Sequence, residues 1–202
     1  QRSPDRPGLF ADLCGALSAA GANIVAAHLY ESGKGRVLDV FEVQDSRGQP
    51  LGSDHPNALE RILADLRAAA AGGEDVKKPG KAPAASRRHA AFIISPTILI
   101  DRTASADSTV IEVSGRDRPG LLYDIARALA DANLSIRSAH VGAYGERVHD
   151  VFYVEQLAGG VVPHEMAEIL GSRLEAILRS HSPTAPRIPA HTLARAPASF
   201  DR

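Results

Sequence analysis

The octapeptide Asp5-Arg6-Pro7-Gly8-Leu9-Phe10-Ala11-Asp12 returns 112 residues later as Asp117-Arg118-Pro119-Gly120-Leu121-Leu122-Tyr123-Asp124, with six identities in eight positions. At the same spacing Ile24 matches Ile136 and His28 matches His140. One residue is then lost in a Gly-containing turn, after which Val37-Leu38-Asp39-Val40-Phe41-Glu42-Val43 matches Val148-His149-Asp150-Val151-Phe152-Tyr153-Val154. A chain built this way is a tandem of two related units, and each unit must use the same plan. Its 202 residues divide accordingly into a first domain over 1–71, a flexible Gly/Ala/Pro/Lys/Arg-rich linker over 72–89, a second domain over 107–180 and a loosely ordered tail over 181–202.

Within each copy the period changes in the same order. Leu9, Leu13, Ala16, Leu17 and Ala20, like Leu121, Leu122, Ile125 and Leu129, recur at helical spacing. Gly21 and Asn133 fall where the chain leaves each helix, and both residue types tolerate the left-handed conformation required there. Two strand-like runs follow, 24–30 and 36–43 in the first copy, 136–142 and 147–154 in the second, separated by Gly-rich turns. A second helix is marked by Leu59, Ile62, Leu63 and Leu66, and by Met166, Ile169, Leu170, Leu174, Ile177 and Leu178. With the strand 109–114 ahead of the second copy, the order is that of a ferredoxin-like βαββαβ unit. The expected fold is α+β: two such units in tandem, antiparallel sheets with helices on one face. The first copy is expected to lack its opening strand, because only four residues precede Asp5, and to take its last strand from 90–101. That, with a start at Gln1 rather than Met, points to the carboxyl-terminal part of a longer chain.

The chemistry concentrates in the Asp-Arg-Pro-Gly-Leu turn. Proline presets the backbone, glycine lets a ligand approach, and the first helical turn leaves amide N–H groups without intrahelical partners. Such a nest, aided by the helix dipole, attracts a carboxylate. Asp5 or Asp117 beside it can accept from an ammonium group, so Asp5, Arg6, Pro7, Gly8 and Leu9, with Asp117, Arg118, Pro119, Gly120 and Leu121, suit a zwitterion such as a free amino acid. A plain reading remains open, in which the aspartate caps the helix and Pro-Gly makes a tight turn. Asn23 and Ile24, and Asn133, Ser135 and Ile136, would form the other wall.

Other chemistries find little support. The net charge of −1 gives no field for a polyanion, so nucleic acid is not an expected partner. The single cysteine, Cys14, excludes a disulfide framework and reads as a buried small residue. No apolar run approaches the roughly 18 residues of a membrane span, so no membrane partner is expected. His149 and Asp150 are adjacent on a strand and face opposite sides, which prevents joint chelation. His28 and His140 read as structural or interfacial imidazoles, and no catalytic or metal-ligand constellation is expected.

The two Asp-Arg-Pro-Gly-Leu blocks, Gly21-Ala22-Asn23-Ile24, the Asp-Val-Phe strands and Leu99-Ile100-Asp101 with Val110-Ile111-Glu112-Val113 resemble tandem ACT domains. More narrowly, Gly115 to Asp124, Ser138-Ala139-His140 and Tyr144-Gly145-Glu146-Arg147 are similar to the carboxyl terminus of bacterial bifunctional protein-PII uridylyltransferase/uridylyl-removing enzymes. The resemblance implies a cytoplasmic, glutamine-sensing module behind nucleotidyltransferase and HD phosphohydrolase domains, with the PII signalling protein as partner. It implies that glutamine favours removal of UMP from PII and that its absence favours transfer. The magnesium motifs of those catalytic domains do not occur in this sequence, so the chain itself is expected to hold no cofactor and no catalytic residue. Any ligand site is expected where the two units meet side by side. The competing expectation is a ligand-independent module that forms a homodimer through its sheets or docks PII.

Overall fold

The computed structural model describes residues 2–4, 6–31, 36–45, 47–51, 56–72 and 94–180. The first copy comprises β1 (Arg2–Pro4), α1 (Leu9–Ala19), β2 (Asn23–Glu31), β3 (Arg36–Gln44) and α2 (Pro56–Ala71). Then come β4 (Thr97–Asp101), β5 (Thr109–Arg116), α3 (Leu121–Asp131), β6 (Leu134–Tyr144), β7 (Arg147–Gln156) and α4 (His164–Arg179). The helices end as the residue types require: Gly21 and Asn133 follow α1 and α3 with φ of 78° and 55°.

Among the described residues the strands do not form two sheets. They make one seven-stranded antiparallel sheet in the order β1-β3-β2-β6-β7-β5-β4. The join is β2 with β6, in register from Ala26↔Gly142 to Tyr30↔Ser138, so the two copies sit side by side. His28 pairs with His140 near the middle of that join, and a pseudo-twofold axis passes between them. Both β2 and β6 carry a bulge at the same place, between Ile24 and Ala26 and between Ile136 and Ser138.

Two strand assignments differ from expectation. Arg2–Pro4 does form an opening strand for the first copy, three residues paired to β3 from Arg2↔Leu38 to Pro4↔Arg36. Thr97–Asp101, expected to close the first copy, instead pairs with β5 from Thr97↔Ser114 to Asp101↔Val110, at the far end of the sheet. The physical reason is proximity: seven residues, 102–108, separate β4 from β5, and a short loop makes that antiparallel pairing the cheaper closure in chain entropy. Asp101 organises this loop by accepting from the Thr103 and Ala104 N–H groups at 2.7 and 3.0 Å. The linker expected over 72–89 lies outside the described residues beyond Gly72, as does the expected tail over 181–202.

All four helices of the described residues cover one face, with α1 packed against both α2 and α3, and α3 against α4. The core is continuous across the join. Phe10, Cys14, Ala27 and Leu29 of the first copy share a cluster with Ile111, Ile125, Leu129, Phe152 and Leu174 of the second. Alternation explains the strand contributions: Ile111 and Val113, or Phe152 and Val154, point inward, while Glu112, Val151 and Tyr153 are only partly buried. Thr109 is a polar exception, fully buried, with its Oγ1 accepting the Val162 N–H at 2.8 Å. Thr109→Val keeps the shape and strands that N–H, so the urea midpoint should fall by an amount corresponding to about 1–2 kcal/mol. An unchanged midpoint would show that the bond adds nothing.

No helix among the described residues is long and apolar enough to cross a membrane.

Candidate functional site

Proline at the second and glycine at the third position of a four-residue turn specify type II geometry. Both copies adopt it. Leu9 N–H donates to the Arg6 carbonyl at 3.1 Å with Gly8 at φ 77°, and Leu121 N–H donates to the Arg118 carbonyl at 3.1 Å with Gly120 at φ 76°. The positive φ requires glycine, and each glycine is itself the N-cap of its helix, with no side chain bonded to the cap. The helix-capping role considered for Asp117 therefore belongs to Gly120. In the first copy Asp5 lies outside the described residues.

The arginines brace the turns from outside. Arg6 donates through Nη2 to Asp12 at 2.7 Å and to the Ala69 carbonyl at the end of α2 at 2.5 Å. Arg118 repeats the first bond with Asp124 at 2.6 Å. Each guanidinium is thus tied to its own helix through Nη2, while the buried Nε of Arg6 and of Arg118 has no hydrogen-bond partner among the described residues.

The first turn meets the second copy in a cleft. One side is Arg6, Pro7, Gly8 and Leu9 with the Phe10 and Ala11 start of α1; the facing side is Ala126 and Ala130 of α3 with Leu134, Ser135 and Ile136 at the start of β6. Leu29, Val37 and Asp39 form the floor. A Cβ added to Gly8 would stand 3.8 Å from the Ala130 Cβ and from the Arg127 Nη1, which measures how closely the turn approaches α3. Four predicted residues of the first turn are thereby brought together with Ser135 and Ile136 of the other copy, across the join. Asn133 is not in this cleft: it takes the left-handed position after α3. The pseudo-twofold axis relates Ser135 and Ile136 to Asn23 and Ile24, and Arg6–Leu9 to Arg118–Leu121, so these residues occupy the counterpart location rather than this one.

Sequence reasoning missed Asp39. It is 3% exposed and points inward from β3, opposite Leu29. Its counterpart Asp150 is 1% exposed, and its Oδ1 accepts the Gly142 N–H at 3.3 Å. The signal was present: in Val37-x-Asp39-x-Phe41 and Val148-x-Asp150-x-Phe152 a charged residue occupies the inward phase of an apolar alternation, twice.

Burial governs the electrostatics here. It pushes the Asp150 carboxyl up to about 7, against the lowering effect of the Gly142 N–H and with help from the charge of Asp117. Asp117 is itself raised by burial, opposed by the Arg118 N–H and charge. The Cys14 thiol on α1 is fully buried and pushed well up, first by burial and then by Asp39 and Asp150. The thiol on the inner side of α1 thus feels the charge of both inward aspartates, and Asp39 lines the cleft. Among the described residues no group of three or more His, Cys, Asp or Glu is arranged to hold a metal ion. His149 is exposed, bonded to the Ser114 Oγ at 3.0 Å, while Asp150 points to the core.

The ACT domain profile matches residues 2–51 and 109–170, once in each copy. A bifunctional uridylyltransferase/uridylyl-removing enzyme of Phenylobacterium zucineum is 53% identical over 155 residues, covering 77% of this chain and 16% of that protein. The enzyme of the same name from Caulobacter vibrioides is 47% identical over 183 residues, covering 90% of this chain and 19% of its own length. A solved structure, aspartate kinase from Synechocystis, aligns over 87% of this chain and 25% of its own, with 19% identity and a TM-score of 0.45. The chain thus spans less than a fifth of the length of the curated relatives named here.

Proposed function

Since the chain belongs to the ACT-domain family, with one match in each copy, we propose that it is the amino-acid-sensing, regulatory part of a bifunctional uridylyltransferase/uridylyl-removing enzyme. The ligand is a free amino acid, glutamine by the similarity to those relatives, and the site is the cleft between the first turn and the start of β6. One observation carries the reading: helix N-terminal amides and a buried carboxylate, Asp39, line the same inter-copy cleft. The amides of the first turn of α1 receive the carboxylate of the ligand, the Asp39 carboxylate accepts from its ammonium group, and Ser135 and Ile136 contact the side chain.

Regulation follows from the size of the cleft. Its cavity of about 30 Å³ holds about one water molecule, far less than an amino acid. A ligand enters only if α1 and α3 part, so it binds one arrangement of the two copies better than the other. That preference is what the catalytic domains would read as they transfer UMP to PII or remove it in the cytoplasm.

Isothermal calorimetry of the chain against L-glutamine, L-glutamate and L-asparagine tests the proposal. A saturable heat with glutamine is expected; no heat with any amino acid would sink it. A second reading, assembly without ligand, is favoured by an apolar groove of about 820 Å³ between α1, α2 and β3, flanked by Leu59 and Leu63, which are 47% and 41% exposed. Light scattering separates the two, because a dimer that forms equally with and without glutamine supports assembly alone.

A further inference from the structure

The helix-free face of the sheet carries a pair of groups that the cleft does not use. His28 of β2 stands directly opposite His140 of β6 in the join between the copies. Their Nδ1 atoms are 3.4 Å apart, with ring centroids at 5.5 Å and planes at 69°. Val40 and Val151 flank the pair in the sheet, so no charge borders it along that row. Tyr30 stacks beside the His28 ring, centroid to centroid 6.4 Å. His140 is exposed and His28 half-buried, which leaves the pair open to ions.

We propose that His28 and His140 together bind a divalent transition-metal ion of the zinc class through both Nδ1 atoms, tying the first copy to the second at the centre of their join. The spacing is the argument. A tetrahedral ion with nitrogen ligands at about 2.0–2.1 Å has an N···N edge of about 3.3 Å, whereas a square-planar cis edge is about 2.9 Å. The observed 3.4 Å fits the tetrahedral edge. In the metal-free pair one ring carries the Nδ1 proton and the other accepts it. On binding, that proton relocates to Nε2 of its own ring, both Nδ1 lone pairs turn to the ion, and no net proton is released. With no third protein ligand among the described residues, water or a small anion completes the coordination, and the site is exchangeable rather than a permanent structural centre. His149, also on this face, is occupied by Ser114.

The test uses the whole chain, stripped of metal with a chelator and titrated with ZnCl2 by calorimetry, alongside long-range ¹⁵N spectra of the imidazoles. The expected result is one zinc bound reversibly per chain, with the Nδ1 resonances of both His28 and His140 shifting together. His28→Gln or His140→Gln should each weaken binding about tenfold or more, while His164→Gln, exposed at the start of α4, should not. Unshifted Nδ1 resonances in the unmodified chain would overturn the proposal, as would unchanged zinc affinity in both glutamine variants once circular dichroism shows them folded.

Discussion

Asp150→Asn should raise the unfolding free energy by up to about 4 kcal/mol at pH 8 and leave it nearly unchanged at pH 4. The carboxyl keeps its proton up to about pH 7 in the folded chain because burial disfavours its charged form. Unfolded, it gives the proton up near its ordinary value of 3.8. Between those values the folded state binds more protons than the unfolded one, so the contribution of Asp150 declines as pH rises through the window and is flat above it. Asparagine carries no charge and keeps an oxygen to accept the Gly142 N–H, so the variant loses this decline. Urea unfolding of both proteins from pH 4 to 8 isolates the effect, because other titrating groups largely cancel in the difference. A difference that does not grow with pH would mean that Asp150 is ionised in the fold at neutral pH.

That aspartate also marks what could and could not be read from the sequence. The duplication, the type II turns and the helix exits at Gly21 and Asn133 follow from local rules: Pro-Gly sets a turn, and glycine or asparagine accepts a positive φ. Strand periodicity told which residues face the core, but not which strand lies beside which. Nothing local in Thr97–Asp101 says that it pairs with β5 rather than with the first copy; only the length of the connection decides that. The merger of the copies through β2 and β6 is likewise a property of two edges meeting. For the same reason the cleft was legible only in part. A site where the two copies meet side by side is expected from the sequence, but that Arg6–Leu9 of one copy face Ser135–Ile136 of the other follows only from the β2–β6 join. In the sequence Asp39 and Asp150 show only as a break in the apolar alternation of their strands, and such a break points to a task other than packing.

Asp39→Asn is the most direct probe of that task, and it should weaken glutamine binding about 100-fold while the chain stays folded. Asparagine preserves the volume of a side chain that is 3% exposed between α1 and the sheet, so the floor of the cleft keeps its shape. What it removes is the negative charge facing the ligand's ammonium. In a site that excludes water, the loss of one member of a close charge pair leaves the other desolvated without compensation, which typically weakens binding by about 2–5 kcal/mol. Asp150→Asn supplies the matched control, since it changes an equivalent buried aspartate outside this cleft and should alter glutamine affinity less than Asp39→Asn does. If both variants bind glutamine like the parent chain, the ammonium is held elsewhere and the cleft between Gly8 and Ser135 is not the sensor. If Asp150→Asn alone loses binding, the ligand sits at the counterpart location, where Gly120 of the second turn answers to Asn23 of the first copy.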